Sequence, residues 1–218
     1  MRSKVLGANF ETRSSFIMNG VSLICYKHCN DKSIFCKEVP IACPLCKTVV
    51  TRYVLEPFRI PCPFAEASGN PCALVVKPSF GNFLQDYKPT DDLHIGLTNS
   101  VGRIFEFDAR GLTINDLTKW KNCLVINTSV PESWYSRWDE VLEELCTGSN
   151  WNLVNYNPTS YNCFDFVMNF LTLLNYKDLT FLDKTTLCSS FVLPKLRDVL
   201  RYVSLYRNLQ SNEYYVSA

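Results

Sequence analysis

Two histidines serve the whole chain, and one of them, His94, stands in an apolar, strand-like run, Asp92-Leu93-His94-Ile95-Gly96-Leu97-Thr98. Far downstream, Tyr161-Asn162-Cys163-Phe164-Asp165-Phe166 places a cysteine at the expected start of an amphipathic helix. An imidazole on a strand and a thiol at a helix N-terminus are the two parts that thiol nucleophilic catalysis needs. The helix dipole and a protonated His94 would stabilise a Cys163 thiolate, and His94 would take the thiol proton and return it to a leaving group. Asn162 is expected to offer a side-chain or backbone N–H to a developing oxyanion, with the Cys163 N–H as a second donor. Asp165 works the other way, because a carboxylate facing the thiol would oppose thiolate formation. Taken singly, each residue also has a packing role: a lone His on an apolar strand and a Cys on an apolar helix face are both ordinary core components.

A second group of chemically capable residues lies near the N-terminus. Seven of the eleven cysteines (Cys25, Cys29, Cys36, Cys43, Cys46, Cys62 and Cys72) precede residue 73. Cys43-Pro44-Leu45-Cys46 has knuckle spacing, in which a tight turn aims two thiolates at one point, as tetrahedral zinc requires. Cys25 and Cys29 lie upstream in a C-x3-C-x13-C-x2-C pattern, and His28 offers a nitrogen alternative. The ligand set expected is Cys29, Cys43 and Cys46 around a structural Zn2+, with Cys25 and His28 as rivals for a remaining place. The odd cysteine total rules out complete intramolecular disulfide pairing, and no continuous apolar h-region follows Met1-Arg2-Ser3-Lys4. Clustered thiols without a secretory leader fit a reducing compartment, so an intracellular protein, cytoplasmic or nuclear, is expected.

Composition sets the frame for these residues. With 218 residues, 47% hydrophobic and 20% charged, the chain has material for one sizeable core plus a small module. A net charge of +1 supplies no basic face for nucleic acid, and the lysines and arginine near the cysteines are interrupted by Asp31 and Glu38. No apolar run approaches the roughly 18 residues of a membrane span, so no membrane anchor is expected. A protein or peptide is the expected partner or substrate.

The elements that must position the site follow from local pattern. Residues 1–20 read as a polar leader and 21–72 as a Cys- and Pro-rich module with short strands at Val21–Tyr26 and Thr48–Val54. From residue 73 to 218 the texture is that of an α+β domain. Ala73–Val76 reads as a strand, the His94 run and Arg103–Asp108 as a hairpin across Ser100-Val101-Gly102, and Lys121–Thr128 as a further strand. Trp134, Trp138, Val141, Leu142 and Leu145 then recur at helical steps up to Gly148. A second helix buries Phe164, Val167, Met168 and Leu171, and a third runs over Pro194–Leu209. Cys123, Cys146 and Cys188 show no polar partners and are expected to fill core.

The segments Lys77-Pro78-Ser79-Phe80-Gly81-Asn82-Phe83, Asp92 to Ser100, Tyr161 to Phe166, Tyr202 to Arg207 and Cys43-Pro44-Leu45-Cys46 closely resemble the makorin opposite-strand protein family. That resemblance implies Cys72 as the fourth metal ligand, and it implies no activity. More distantly, His-x-Gly on a strand followed by Asn-Cys-x-x-Phe on a later helix resembles the circularly permuted papain-like (NlpC/P60-like) thiol proteins. These include the lecithin:retinol acyltransferase-like and PPPDE-like groups. This likeness implies a papain-like α+β domain with an antiparallel sheet behind a zinc-knuckle-like module. It also implies a third polar residue twelve positions after His94, which here is Glu106. Asp165 departs from the PPPDE-like pattern, which has His there, and Glu106 departs from acyltransferase-like members with His at that place. The function so implied is thiol hydrolysis of a peptide or isopeptide bond, or acyl transfer. The alternative is a catalytically inactive papain-like scaffold that binds another protein. Glu106 alternates with Phe105 and Phe107, as an exposed strand residue would.

Overall fold

The computed structural model describes residues 22–114, 117–180 and 183–217, so the expected leader over 1–20 lies outside the described residues. The chain forms two compact units. Among the described residues, one comprises 22–60 with 213–217, and the other lies within 61–212. The sequence pattern placed the boundary at residue 72. Instead, residues 61–72 belong to the second unit: Ala65 bridges to Cys123, and Ala67 is buried with Val75, Ile104, Trp120 and Cys123.

The first unit is built on a four-stranded antiparallel sheet. It comprises β1 (Ile24–Lys27), β2 (Ile34–Cys36), β3 (Leu55–Arg59) and the C-terminal β9 (Tyr214–Val216), in the order β3-β1-β2-β9. Alternation selects the buried side chains, Tyr26 in β1 and Ile34 and Cys36 in β2, which pack with Cys43 as the centre of a small core. The strand expected at Thr48–Val54 falls instead at Leu55–Arg59, because the intervening residues leave the knuckle in an irregular turn. Strand β9 has no apolar run long enough to announce it. It exists because its backbone pairs with β2, Phe35 opposite Tyr215.

The second unit is α+β, as expected. Strands β4 (Ala73–Pro78), β5 (Leu93–Thr98), β6 (Ile104–Asp108), β7 (Gly111–Ile114) and β8 (Leu124–Asn127) form an antiparallel sheet ordered β7-β6-β5-β4-β8. Helices α1 (Tyr135–Thr147), α2 (Cys163–Leu174), the short α3 (Lys184–Leu187) and α4 (Leu193–Ser211) complete it. Helix α2 packs against α1 and against β5 and β6. Trp138 of α1 is fully buried, stacks edge-on against Phe170 of α2 and donates its indole N–H to the Thr98 carbonyl of β5. The third expected helix is preceded by a π turn over Cys188–Val192. Pro194 lies just beyond, and its missing N–H removes one helical hydrogen bond.

Register decides which side chains share a face. Lys77 of β4 lies directly opposite His94 of β5, and Gly96 lies opposite Glu106 of β6. With side chains alternating at period two, Lys77, His94 and Glu106 therefore project to the same face. That sheet is covered on both sides: Trp120 packs with Val75 and Ile104, and Phe107 meets Trp151, Tyr156 and Tyr161. Glu106 is accordingly 1% exposed, where alternation with two phenylalanines had suggested a solvent-facing residue.

Candidate thiol site and metal cluster

The sheet and the helix bring together three of the residues that the sequence singled out. His94 Nε2 lies 2.8 Å from Glu106 Oε2, with both groups buried. The Cys163 side chain lies near enough for its charge to act on the same imidazole. Since Nε2 is held by Glu106, Nδ1 is the ring nitrogen left for the thiol. Burial by itself would disfavour the imidazolium. The interaction with Cys163 and the hydrogen bond to Glu106 more than offset that cost and lift the His94 pKa to about 9. Lys77 opposes the rise. The result is an imidazole that carries its proton at neutral pH, with a carboxylate fixing one nitrogen, as in hydrolase triads.

Cys163 occupies the first position of α2 because Asn162 caps that helix. The Asn162 side chain accepts from the Phe164 N–H at 3.0 Å, and the Asp165 carboxylate accepts from the Asn162 N–H at 2.7 Å, a capping box. Asp165 also pairs with Lys184. These partners account for the residue that departs from the PPPDE-like pattern: Asp165 serves the cap and a lysine. The same contacts alter the expectation for Asn162. Its backbone N–H is bonded to Asp165, and its side-chain amide donates to the Pro158 carbonyl at 2.7 Å. The donors that remain at this turn are the Cys163 N–H, a first-turn amide that intrahelical bonding leaves unpaired, and the second N–H of the Asn162 amide.

Two further residues border the site without having been anticipated. Lys77 faces His94 across the β4–β5 pair, and its ammonium lies 5.1 Å above the Trp120 ring, whose centroid is 5.7 Å from that of His94. Tyr156 is close enough for the charge of Cys163 to act on its hydroxyl, although burial is the larger cause of its raised pKa. The signal for Lys77 was its even spacing from Val75 on a strand paired with β5, which becomes legible only once the register is known. Gly96 makes the arrangement sterically feasible. A Cβ there would come within 2.9 Å of the Phe105 carbonyl and 3.2 Å of the Trp120 ring.

In the first unit, one ligand atom from each of His28, Cys29, Cys43 and Cys46 lies within 4.8 Å of the other three. The Cys29 and Cys43 sulfurs are 4.0 Å apart, and His28 Nδ1 is 3.4 Å from the Cys46 sulfur. Bonds of about 2.3 Å to sulfur and about 2.0 Å to nitrogen in a tetrahedron place ligand atoms roughly 3.5–3.8 Å apart, so the set fits a single small cation. The turn that aims it is built from local bonds. The Leu45 N–H points at the Cys43 sulfur (3.4 Å), Lys47 N–H closes on the Cys43 carbonyl, and Lys47 has φ of +62°. Hydrogen bonds from Thr48 hold Cys46 down to about 6, whereas desolvation and the neighbouring sulfurs push Cys29 up to about 11. Cys29, Cys43 and Cys46 are thus together, and His28 provides the fourth atom. Cys72, the ligand implied by resemblance, is not among them: it belongs to the second unit, buried just ahead of β4, and burial pushes its thiol up to about 12. Cys25 lies within β1, opposite Phe35 and Phe58.

Comparison with known proteins agrees with this division. Residues 21–50 match the family model described as DUF4796 N-terminal, and residues 57–209 match DUF4796 C-terminal. The MKRN2 opposite strand protein of Homo sapiens is 30% identical over 203 residues, which is 91% of this chain and 90% of that protein. No solved structure matches the chain. No helix among the described residues is long and apolar enough to cross a membrane. With both family models matched in order and the relative covered almost end to end, the chain belongs to the makorin opposite-strand protein family.

Proposed function

We propose that the second unit is a papain-like thiol enzyme of circularly permuted order, cleaving peptide or isopeptide bonds or transferring an acyl group through Cys163. The observation that carries this reading is the buried His94–Glu106 pair on the sheet that α2 packs against, with Cys163 at the first position of that helix and near enough for its charge to act on the imidazole. In the reaction, the Cys163 thiolate attacks the acyl carbon. An S–C bond forms and the carbonyl π pair moves to oxygen, beside the Cys163 N–H. Collapse of that adduct expels the amine, which leaves with the proton from His94. Water, giving a proton to His94, then splits the thioester and restores the thiol; an acceptor amine or alcohol in its place completes transfer.

The test is selective alkylation of the native protein with iodoacetamide near neutral pH, read by peptide mapping. Cys163 is expected to react much faster than Cys123 or Cys146, and His94→Ala is expected to remove the difference. Labelling of Cys163 at the rate of those two thiols would refute the enzyme reading. A second reading draws support from the cover over the site: Cys163 is 4% exposed and His94 6%. On that reading the unit is an inactive scaffold that binds a protein partner, and slow, His94-independent labelling is its signature.

The first unit, on the same proposal, is a structural zinc module in which His28, Cys29, Cys43 and Cys46 hold one Zn2+. A sulfur-rich set with one imidazole suits zinc, and four protein ligands leave no position open for chemistry. One zinc per chain in protein purified without added metal is the expected measurement, and a metal-free chain with unchanged unfolding would contradict it.

A further inference from the structure

Lys77 has no role in the proton transfers just described, yet it is placed beside them. It projects from β4 on the same face as His94 and Glu106, directly across from His94. Its ammonium rests over the Trp120 ring at 5.1 Å, a cation–π platform that orients a charge without neutralising it. Among the described residues it makes no ion pair, and Cys163, Glu106 and Asp108 lie near enough for their charges to act on it. Asp108 and Glu106 have other bound partners, Arg110 and His94. Burial depresses the Lys77 pKa, and the charges of Glu106, Asp108 and Cys163 offset that only in part.

A half-buried cation stationed directly opposite the His94 imidazole attracts negative charge at that spot. We propose that Lys77 forms an anion subsite of the Cys163 site, one that takes the carboxylate of an acyl substrate within a few atoms of the carbon being attacked. The proposal rests on Cys163 as the nucleophile. It adds the substrate class: acyl compounds that carry a carboxylate within a few atoms of the reacting carbon, favoured over neutral analogues. Lys77 is a specificity residue in this arrangement, and Trp120 is the group that positions it.

Two alkylating reagents read the subsite directly. Iodoacetate and iodoacetamide react alike, the thiolate forming an S–C bond as iodide departs, but only iodoacetate carries a carboxylate beside the carbon attacked. The iodoacetate-to-iodoacetamide rate ratio at Cys163 is expected to exceed that of a free cysteine by about tenfold, the order expected for one unit charge acting over several ångströms. Lys77→Met should bring the ratio back to that of free cysteine, and Lys77→Arg should keep it high. A ratio untouched by Lys77→Met overturns the subsite.

A second measurement does not depend on the thiol reacting. Sodium acetate is titrated into the protein while the imidazole NMR signals of its two histidines are followed. A saturable shift at His94, absent in Lys77→Met, supports the subsite even if Cys163 labels slowly and the enzyme reading fails. No saturable shift in the unaltered protein overturns it even if Cys163 proves fast.

Discussion

His94 and Glu106 meet at 2.8 Å across the β5–β6 pair with almost no exposure to solvent, so the imidazolium and the carboxylate are each other's main source of solvation. One oxygen of Glu106 makes that bond. The other, Oε1, is buried without a hydrogen-bond partner, and the nearest cation, Arg110, is 3.9 Å away. Glu106→Gln keeps the shape and removes the charge. It is expected to lower the His94 pKa and to slow Cys163 alkylation by about tenfold or more, because an anion that steadies the imidazolium is lost. Glu106→Ala is expected to cost about 3 kcal/mol of stability as well, the scale of leaving a buried charge unpaired. Urea unfolding and the His94 titration by NMR check both. An unchanged His94 titration in Glu106→Gln would show that the carboxylate does not act on the ring.

The direction of the His94 shift makes stability depend on pH. The imidazole takes up its proton more readily in the folded chain, at about 9 against about 6.5 for a free histidine. Its contribution is therefore fully present below about pH 6.5 and is lost as pH rises through 9. The full amount is on the order of 3 kcal/mol by the same linkage. Unfolding free energy measured at pH 6.5 and 9.5 should fall by a sizeable part of that figure, and His94→Gln should flatten the difference. A His94→Gln protein with the same pH slope would place the dependence elsewhere.

How much of this was legible in the sequence depends on the range of the interactions involved. Cys163 at a helix start, Trp138 in a core stripe and the Cys43–Cys46 knuckle are local patterns, and each appears where local pattern put it. Lys77 was missed, and His28 stood only as a rival for the last metal-ligand place, because their roles arise from neighbours distant along the chain. His28 meets Cys46 eighteen residues on, and Lys77 meets His94 only through strand register. Glu106 read as exposed because alternation assumes one wet face, and this sheet is packed on both. Asn162-x-x-Asp165 is a local pattern too, and it is what makes Asp165 a helix cap and not a neighbour that opposes the thiol.

The metal cluster yields a sharper expectation than zinc content alone. Chelation should destabilise the first unit selectively, since a metal held by the four clustered residues would tie the knuckle turn to the loop after β1. Cys29→Ser, Cys43→Ser and Cys46→Ser should each lose the metal, and His28→Ala should weaken its retention strongly. Cys72→Ser and Cys25→Ser should retain one equivalent. Atomic absorption on the purified variants measures this, and a Cys72→Ser protein without metal would reinstate the ligand that resemblance implied.

Gly96 offers a test of the support beneath the site. Its absent side chain lets the Trp120 ring lie close to β5, and Trp120 carries both the Lys77 ammonium and the edge of His94. Gly96→Ala must push either that ring or the Phe105 carbonyl aside, and overpacking of this kind typically costs about 1–3 kcal/mol. The expected result is a folded but less stable protein with altered Trp120 fluorescence and slower Cys163 alkylation. Unchanged stability together with unchanged labelling would show that Trp120 is free to shift and does not hold the site.

Asn162 separates the helix cap from the chemistry. Removing the cap by Asn162→Ala deprives the Phe164 N–H of its acceptor and should cost about 1 kcal/mol of stability. The Asn162 backbone N–H is spent on Asp165 and one N–H of its amide on Pro158, so on the proposed mechanism the Cys163 N–H is the better-placed donor to an oxyanion. Alkylation involves no oxyanion, so its rate should change little in Asn162→Ala provided α2 stays formed. An activated thioester probes the other step: acylation of Cys163 passes through the charged adduct and should be nearly as fast in Asn162→Ala as in the unaltered protein. A loss of a hundredfold in acylation with alkylation intact would return Asn162 to the oxyanion role that its position before the cysteine first suggested.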